Sequence, residues 1–438
     1  MQYDILITNG MILPLTDGSL DLIEPGYLAI TGDQIVAMGP MSELSGATAT
    51  TTIDGTGTLT MPGLINTHNH AAMTLFRGLA DDLPLMEWLT KHIFPAEAKF
   101  VNHEMVYWCS KLAAAEMIRS GTTCVADGYF HEDAAAEAFR DAGIRAVAAQ
   151  GVVDFPAPGV PDPTGNIAAV EQFIDNWQGK DPLITPAIFC HAPYTCSPET
   201  LQKGKDLARR REVPFFTHLA ETEFEVQESI KQHGVTPTHH LHQLGILDHT
   251  TIVAHCVWLN EEDQKLLAES GAKVASCPGS NMKLAAGIAP LAEFAKQGIT
   301  ISLGTDGCAS NNNLDLFEEM DLAGKLQKAK NLDPTQLPAA TILKMATMDG
   351  AETLGLGKKI GSLAPGKKAD CIMIDLKQAN LIPFYGAELL PSAASGRDVL
   401  TTIINGRIVM QDRKILHFDE AETMSKVREL AKQVTMPT

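Results

Sequence analysis

The chain opens on short apolar runs separated by turn residues. "YDILITNGMILPL", "GYLAITGDQIVAMG" and "TTIDGTGTLTM" alternate apolar and polar positions and break at Gly and Asp, the period of two expected of strands in a small antiparallel unit. The same texture returns near the C-terminus in "GKKADCIMIDL" and "DVLTTIINGRIVMQDRKIL", where Asn405-Gly406 reads as a hairpin turn. Both termini are therefore expected to build one small β-sandwich domain, residues 1–57 with 360–438, interrupted by residues 58–359.

The interrupting segment has another rhythm, in which apolar runs alternate with longer helical patterns such as "NHEMVYWCSKLAAAEMIRSG". Eight runs can be counted: "PGLINTHNH" from 62, "GTTCVADGYF" from 121, "IRAVAAQGVVD" from 144, "LITPAIFCHAPY" from 183, "VPFFTHLAE" from 213, "TTIVAHCVWL" from 250, "AKVASCPGSN" from 272 and "GITISLGTDG" from 298. Eight βα units predict an α/β fold, a (β/α)8 TIM barrel, whose chemistry sits at the carboxyl ends of the strands. The polar residues that interrupt the runs fall at that end: His68 and His70, His191, His218 and Glu221, His255, and Asp306.

Composition narrows the partners. With 34 basic and 53 acidic residues among 438, the net charge of −19 repels nucleic acid and anionic membranes. "MQYDILITNG" carries no basic cluster or apolar signal core, and no window reaches eighteen apolar residues. A soluble cytoplasmic protein without a membrane partner is expected. Its eight scattered cysteines form no C-x-x-C pair and are expected to be buried, reduced thiols.

His68 and His70, two apart on a strand, should share a face. With His218 and Asp306 they offer three imidazoles and a carboxylate, a donor set for a catalytic divalent metal that leaves room for water. A lone histidine in an apolar strand is more often a core residue; three strand ends carrying metal-type donors together are not explained that way. His239, His240, His242 and His249, in "THHLHQLGILDH", read instead as a solvated helix surface. "HEDAA" at 131 lacks a second metalloprotease histidine, and "GLGKKIG" at 355 follows no strand.

At this point "PGLINTHNHAAMTLFRGLADD", "HAPYTCSPE", "THLAETEFE", "VAHCVWL", "SCPGSNMKLAAGIAPL" and "LGTDGCASNNNLDLFEEM" resemble the amidohydrolase superfamily over essentially the whole chain. The branch they look like deaminates 5′-methylthioadenosine and S-adenosylhomocysteine. Relatives with two metals often bridge them through a strand-four lysine. "LITPAIFCHAPY" has none, so the resemblance implies one metal per subunit, held by His68, His70, His218 and Asp306. Zinc (Zn2+) is the default, with iron (Fe2+) an alternative. It further implies that Asp306 and His255 take a proton from the metal-activated water while Glu221 protonates N1 of adenine as hydroxide attacks C6.

Substrate contacts implied by the resemblance are Glu97 in "FPAEAKF" for the ribose hydroxyls, His191 for purine N3 and the ribose side, and Ser310 for N7. Trp88 in "LMEWL" is a candidate apolar wall beside the ribose. Relatives that accept S-adenosylhomocysteine tend to hold its carboxylate with arginine after strand three. Gln150 looks like that position here, and residues 155–179 contain no Lys or Arg. Burying a carboxylate without a cation costs several kcal/mol. The expected substrate is therefore 5′-methylthioadenosine, yielding 5′-methylthioinosine and ammonia, with adenosine and 5′-deoxyadenosine secondary and S-adenosylhomocysteine disfavoured. Arg145 or a neighbouring subunit remains an open source of a cation for that pocket. The alternatives are an S-adenosylhomocysteine deaminase, a free-base (guanine or cytosine) deaminase or a triazine hydrolase, and Glu97 and Ser310 weigh against the last two. The zinc deaminase fold with H-x-E and P-C-x-x-C is excluded, because the chain has no P-C-x-x-C. Resemblance also implies a homo-oligomer, dimer or tetramer.

Overall fold

The computed structural model describes residues 2–435. Eight parallel strands form on the eight apolar runs: β1 Leu64–Asn69, β2 Thr122–Tyr129, β3 Arg145–Val152, β4 Ile184–Cys190, β5 Phe215–Leu219, β6 Thr251–His255, β7 Lys273–Ser276 and β8 Ile301–Leu303. They neighbour one another in chain order, as a barrel of right-handed βα units requires. Small residues keep the interior narrow. Cys124 and Ala126 of β2, Val147 and Ala149 of β3, and Ala187 and Phe189 of β4 alternate into one buried cluster with Ile65, Phe216, Ile252 and Ala275. The helix His103–Arg119 packs outside, its start capped by Asn102, whose side-chain oxygen accepts the Met105 N–H at 3.1 Å.

Two local features set the position of the first histidines. Along β1, Asn66 stands opposite Val125 and Asn69 opposite Asp127, so three residues on one strand match two on the next. This bulge shifts the parity of the strand. Asn66 and Asn69 both turn outward against Met117 of the flanking helix, and His68 and His70 turn inward with Ile65. The second feature is the seam between β8 and β1. Thr67 Oγ1 meets Ser302 Oγ at 2.8 Å and donates to the Leu303 carbonyl, while the Asp306 N–H donates to the His68 carbonyl at 3.0 Å. Asn66 bonds both the hydroxyl and the N–H of Thr305.

Both termini build the second, smaller sheet. Gln2–Ile12 pairs with Ile23–Thr31, which pairs with Gln34–Pro40, and Thr58–Pro62 joins this N-terminal part to Cys371–Asp375, Val399–Ile404, Arg407–Gln411 and Lys414–Ile415. Asn405 and Gly406 turn the hairpin with φ of 50° and 74°, the left-handed pair that an Asn-Gly turn favours. The expected antiparallel N-terminal unit is corrected: Gln2–Ile12 runs parallel to Thr48–Asp54 and to Thr58–Pro62. The chain crosses back after Gln34–Pro40 before it re-enters the sheet, so those strands return in the same direction. The C-terminal helix Glu420–Thr435 is tied to the barrel by Arg119, which donates to both carboxylate oxygens of Glu420 at 2.7 and 2.6 Å.

All eight cysteines are buried and unpaired. No helix among the described residues is long and apolar enough to cross a membrane. One surface expectation fails at His240. The helix Pro237–Gln243 turns Pro237, His240 and Leu241 to the same buried side, and the His240 ring stacks on His233 at 4.0 Å.

Gly304 presses on the seam, and a Cβ there would lie 2.7 to 2.8 Å from the backbone N, O and Cβ of His68. Backbone cannot yield to such a contact. Gly304→Ala is expected to destabilise the protein by about 1–3 kcal/mol in chemical denaturation and to lower bound metal. Gly165→Ala, where a Cβ meets nothing within 4 Å, should leave both unchanged.

Candidate metal centre and active site

His68, His70, His218 and Asp306 meet at the C-terminal mouth of the barrel. Asp306 Oδ1 lies 3.6 Å from His68 Nε2 and 3.4 Å from His70 Nε2, and His218 Nε2 lies 3.2 Å from His68 Nε2. Ligand atoms of His68, His70 and Asp306 lie within 4.8 Å of one another, as do those of His68, His218 and His255. His70 Nδ1 donates to the Gly128 carbonyl at 2.6 Å, which leaves the Nε2 lone pair facing the cluster. Burial pushes His68 down to about 4 and also lowers His70 and His218, so their nitrogens are free to donate. Burial opposes ionisation of Asp306, but the surrounding imidazoles outweigh it and hold the carboxyl well below its usual range. Three imidazoles whose lone pairs are freed by burial, gathered around one buried carboxylate, make a set of donors that a divalent cation satisfies. The donor set fits the expected metal.

The two groups expected to handle protons, His255 and Glu221, stand beside it. His255 Nε2 is 3.8 Å from Glu221 Oε2, and the other ring nitrogen of His255 bonds Asn281 Oδ1 at 2.9 Å. An amide oxygen can only accept, so Nδ1 carries the proton and Nε2 is left to the site. Burial raises Glu221 to about 7, with Asp306 and Glu225 adding to it and His255 opposing it. Burial would lower His255, yet Glu221 and Asp306 carry it upward. The second oxygen of Asp306 accepts from Ser280 Oγ at 2.6 Å and Ser310 Oγ at 2.9 Å, and Gly307 N–H donates to Oδ1 at 2.8 Å. Ala220, His255, Cys256 and Asp306 are all left-handed non-glycine residues, with φ from 49° to 70°, a strain that concentrates at functional sites.

A cavity of about 400 Å³ opens from these groups and is bounded by Trp88, Glu97, His191 and Ser310 among others. Glu97, on the short helix Phe94–Phe100, is buried and accepts the Tyr129 hydroxyl at 2.6 Å. Burial raises it to about 7, with Tyr129 pulling the other way. Burial lowers His191 to about 3, and its Nδ1 lies 2.9 Å from Thr195 Oγ1. Gln150 departs from expectation. In β3 it is Ala149 and Gly151 that face inward, so period two turns Gln150 outward, where its Oε1 accepts the Glu132 N–H at 3.2 Å. Arg145 starts the same strand and is bound to Asp370 at 2.7 Å. Tyr129, Ser280, Asn281 and Glu225 were not singled out from the sequence. The strand-end rule offered a signal for the first three, which close or follow β2 and β7.

The model of the amidohydrolase family matches residues 59–409. A 5-methylthioadenosine/S-adenosylhomocysteine deaminase of Syntrophobacter fumaroxidans is 48% identical over 435 residues, covering 99% of both chains. A 5'-deoxyadenosine deaminase of Methanosarcina mazei is 42% identical over 435 residues, covering 98% of each. The solved structure of an adenosine deaminase from Xanthomonas campestris with bound zinc superposes with a TM-score of 0.96 at 36% identity, covering 99% of each chain. On a family match spanning the barrel and relatives aligned end to end, the chain belongs to the amidohydrolase family and is a metal-dependent aminohydrolase.

Proposed function

We propose that the protein hydrolytically deaminates 5′-methylthioadenosine to 5′-methylthioinosine and ammonia. Adenosine and 5′-deoxyadenosine are secondary substrates and S-adenosylhomocysteine is disfavoured. The observation that carries the reading is one cavity with a proton-handling cluster at its floor, a buried Glu97 in its wall, and no Lys or Arg lining it. Zinc, held by His68, His70, His218 and Asp306, supplies when bound a water whose pKa is lowered to about 7.

The chain's own residues handle the protons. Glu221, raised to about 7, carries a proton to N1 of the purine while water oxygen bonds to C6. His255 Nε2 and Asp306 face the attacking water and take its proton, and the serine bonds to Asp306 Oδ2 fix the direction of that carboxylate. Returning the proton to the exocyclic nitrogen breaks the C6–N bond, and ammonia leaves. Ser310 stands near the purine N7 and His191 near N3 and the ribose. Glu97 receives the ribose hydroxyls on the oxygen that Tyr129 leaves open. Trp88, Phe94, Phe155, Pro156 and Pro158 form apolar wall that suits a methylthio tail.

An amino acid tail would need a cation. Arg145, engaged with Asp370, does not offer one. Hydrogen bonds to charged groups are worth about 1.5–3 kcal/mol, so kcat/KM for 5′-methylthioadenosine should exceed that for S-adenosylhomocysteine by about 10- to 100-fold. Ammonia release from a panel of nucleosides checks this, and equal values for the two refute the tail preference.

Glu97 sets a pH dependence. Burial lifts it to about 7, so below that pH the free enzyme holds a neutral carboxyl, a weaker acceptor for hydroxyl groups than the anion. KM for ribosyl substrates should therefore rise as pH falls below 7, by at most about tenfold per unit. In Glu97→Gln the KM should be higher and flat with pH. A flat profile in the native protein removes Glu97 from this role.

A further inference from the structure

We infer that Glu225 is a positioning residue for proton transfer, acting through the backbone that presents Glu221. The inference rests on the proposed role of Glu221 as the proton shuttle. Glu221 follows β5 by two residues, past Ala220, whose φ of 49° turns the chain toward the cavity. Such a turn is unfavourable for alanine and needs external bonds to persist. Glu225 provides them: Oε1 accepts the Ala220 N–H at 3.0 Å and Oε2 accepts the Glu221 N–H at 2.8 Å. The Ala220 carbonyl is held from the other side by the N–H groups of Val257 and Trp258 at 3.0 and 2.9 Å.

Glu225 itself is rigidly placed. It is buried in the first turn of the helix Glu223–His233, where Thr222 caps the end and accepts the Glu225 N–H. It does not line the cavity, so it can reach substrate only through Glu221. Two parallel donors require two acceptor oxygens. A glutamine offers one oxygen and sets its own NH2 group against the second N–H, whereas aspartate keeps both oxygens on a shorter stem. Glu223, on the same turn, is exposed and has no such task.

The test uses the metal-loaded protein with 5′-methylthioadenosine. Glu225→Gln should lower kcat by about 10- to 100-fold while KM stays within about threefold and bound metal stays unchanged. Glu225→Asp should recover part of the loss, and Glu223→Gln should behave as the native protein. Adding Glu225→Gln to Glu221→Gln should lower the residual rate no further, because a residue acting only through Glu221 has nothing left to orient. Native kcat in Glu225→Gln, a joint fall of kcat, metal content and affinity, or an additive double variant overturns the inference. Should Glu225→Gln fail to fold, Glu225→Asp carries the same comparison: kcat lowered at constant KM supports the inference, and native kcat overturns it. Full turnover in Glu221→Gln would instead sink the shuttle reading. An inactive Glu221→Gln beside a fully active Glu225→Gln sinks the positioning inference alone.

Discussion

The site depends on the seam where the last barrel strand meets the first. Asp306 donates its N–H to the carbonyl of His68, so a carboxylate from the end of the barrel sequence and an imidazole from its beginning are registered through backbone rather than by flexible side chains. Thr67 with Ser302, and Asn66 with Thr305, repeat the tie on the layers below. A slip of one residue at this seam would turn Asp306 away from His70. The bulge in β1 works with it, since without the extra residue strand alternation would send His68 and His70 against Met117 instead of into the mouth.

The remaining strand ends hold their groups by strain. His255 and Asp306 occupy left-handed backbone, as do Ala220 and Cys256, and each such residue costs on the order of 1–3 kcal/mol. What opposes relaxation is a set of bonds to neighbours that are themselves buried: Asn281 on His255, Ser280 and Ser310 on Asp306, Glu225 on Ala220 and Glu221. Regular ladders below the mouth supply the stability that these turns spend. Ser280 and Asn281 are consecutive, so one short helix, Pro278–Lys283, orients both the carboxylate and the imidazole that face the attacking water in the proposed reaction.

The barrel was legible because its signals are local. Short apolar runs alternating with helical patterns locate all eight strands, and metal-type donors stand out against apolar neighbours at their ends. What was not legible depends on parity and partners. Gln150 sits at a strand end as His191 does, but its inward neighbours are Ala149 and Gly151, and one residue of register separates a cavity wall from a helix contact. Ser280, Asn281 and Tyr129 read as ordinary loop and strand polar residues until Asp306, His255 and Glu97 are placed against them. The parallel pairing of Thr48–Asp54 with Gln2–Ile12 is invisible for the same reason, since short alternating strands do not announce their direction.

Two carboxyl groups illustrate how one cause can serve opposite ends. Burial lifts both Glu221 and Glu97 to about 7, yet the proposed reaction needs the first as a proton donor and the second as an acceptor of hydroxyls. Their neighbours differ. At Glu221 the carboxylates of Asp306 and Glu225 act with burial and His255 opposes them, whereas at Glu97 the Tyr129 hydroxyl opposes burial by favouring the anion. Both carboxyls stand near neutrality, so in the proposed reaction the division of their tasks follows from what each one faces, N1 of the purine for Glu221 and the ribose hydroxyls for Glu97. That division requires both carboxyls to be sealed from water, which is why the apolar wall formed by Trp88, Phe94 and Phe155 matters to the chemistry as well as to the fit of a substrate tail.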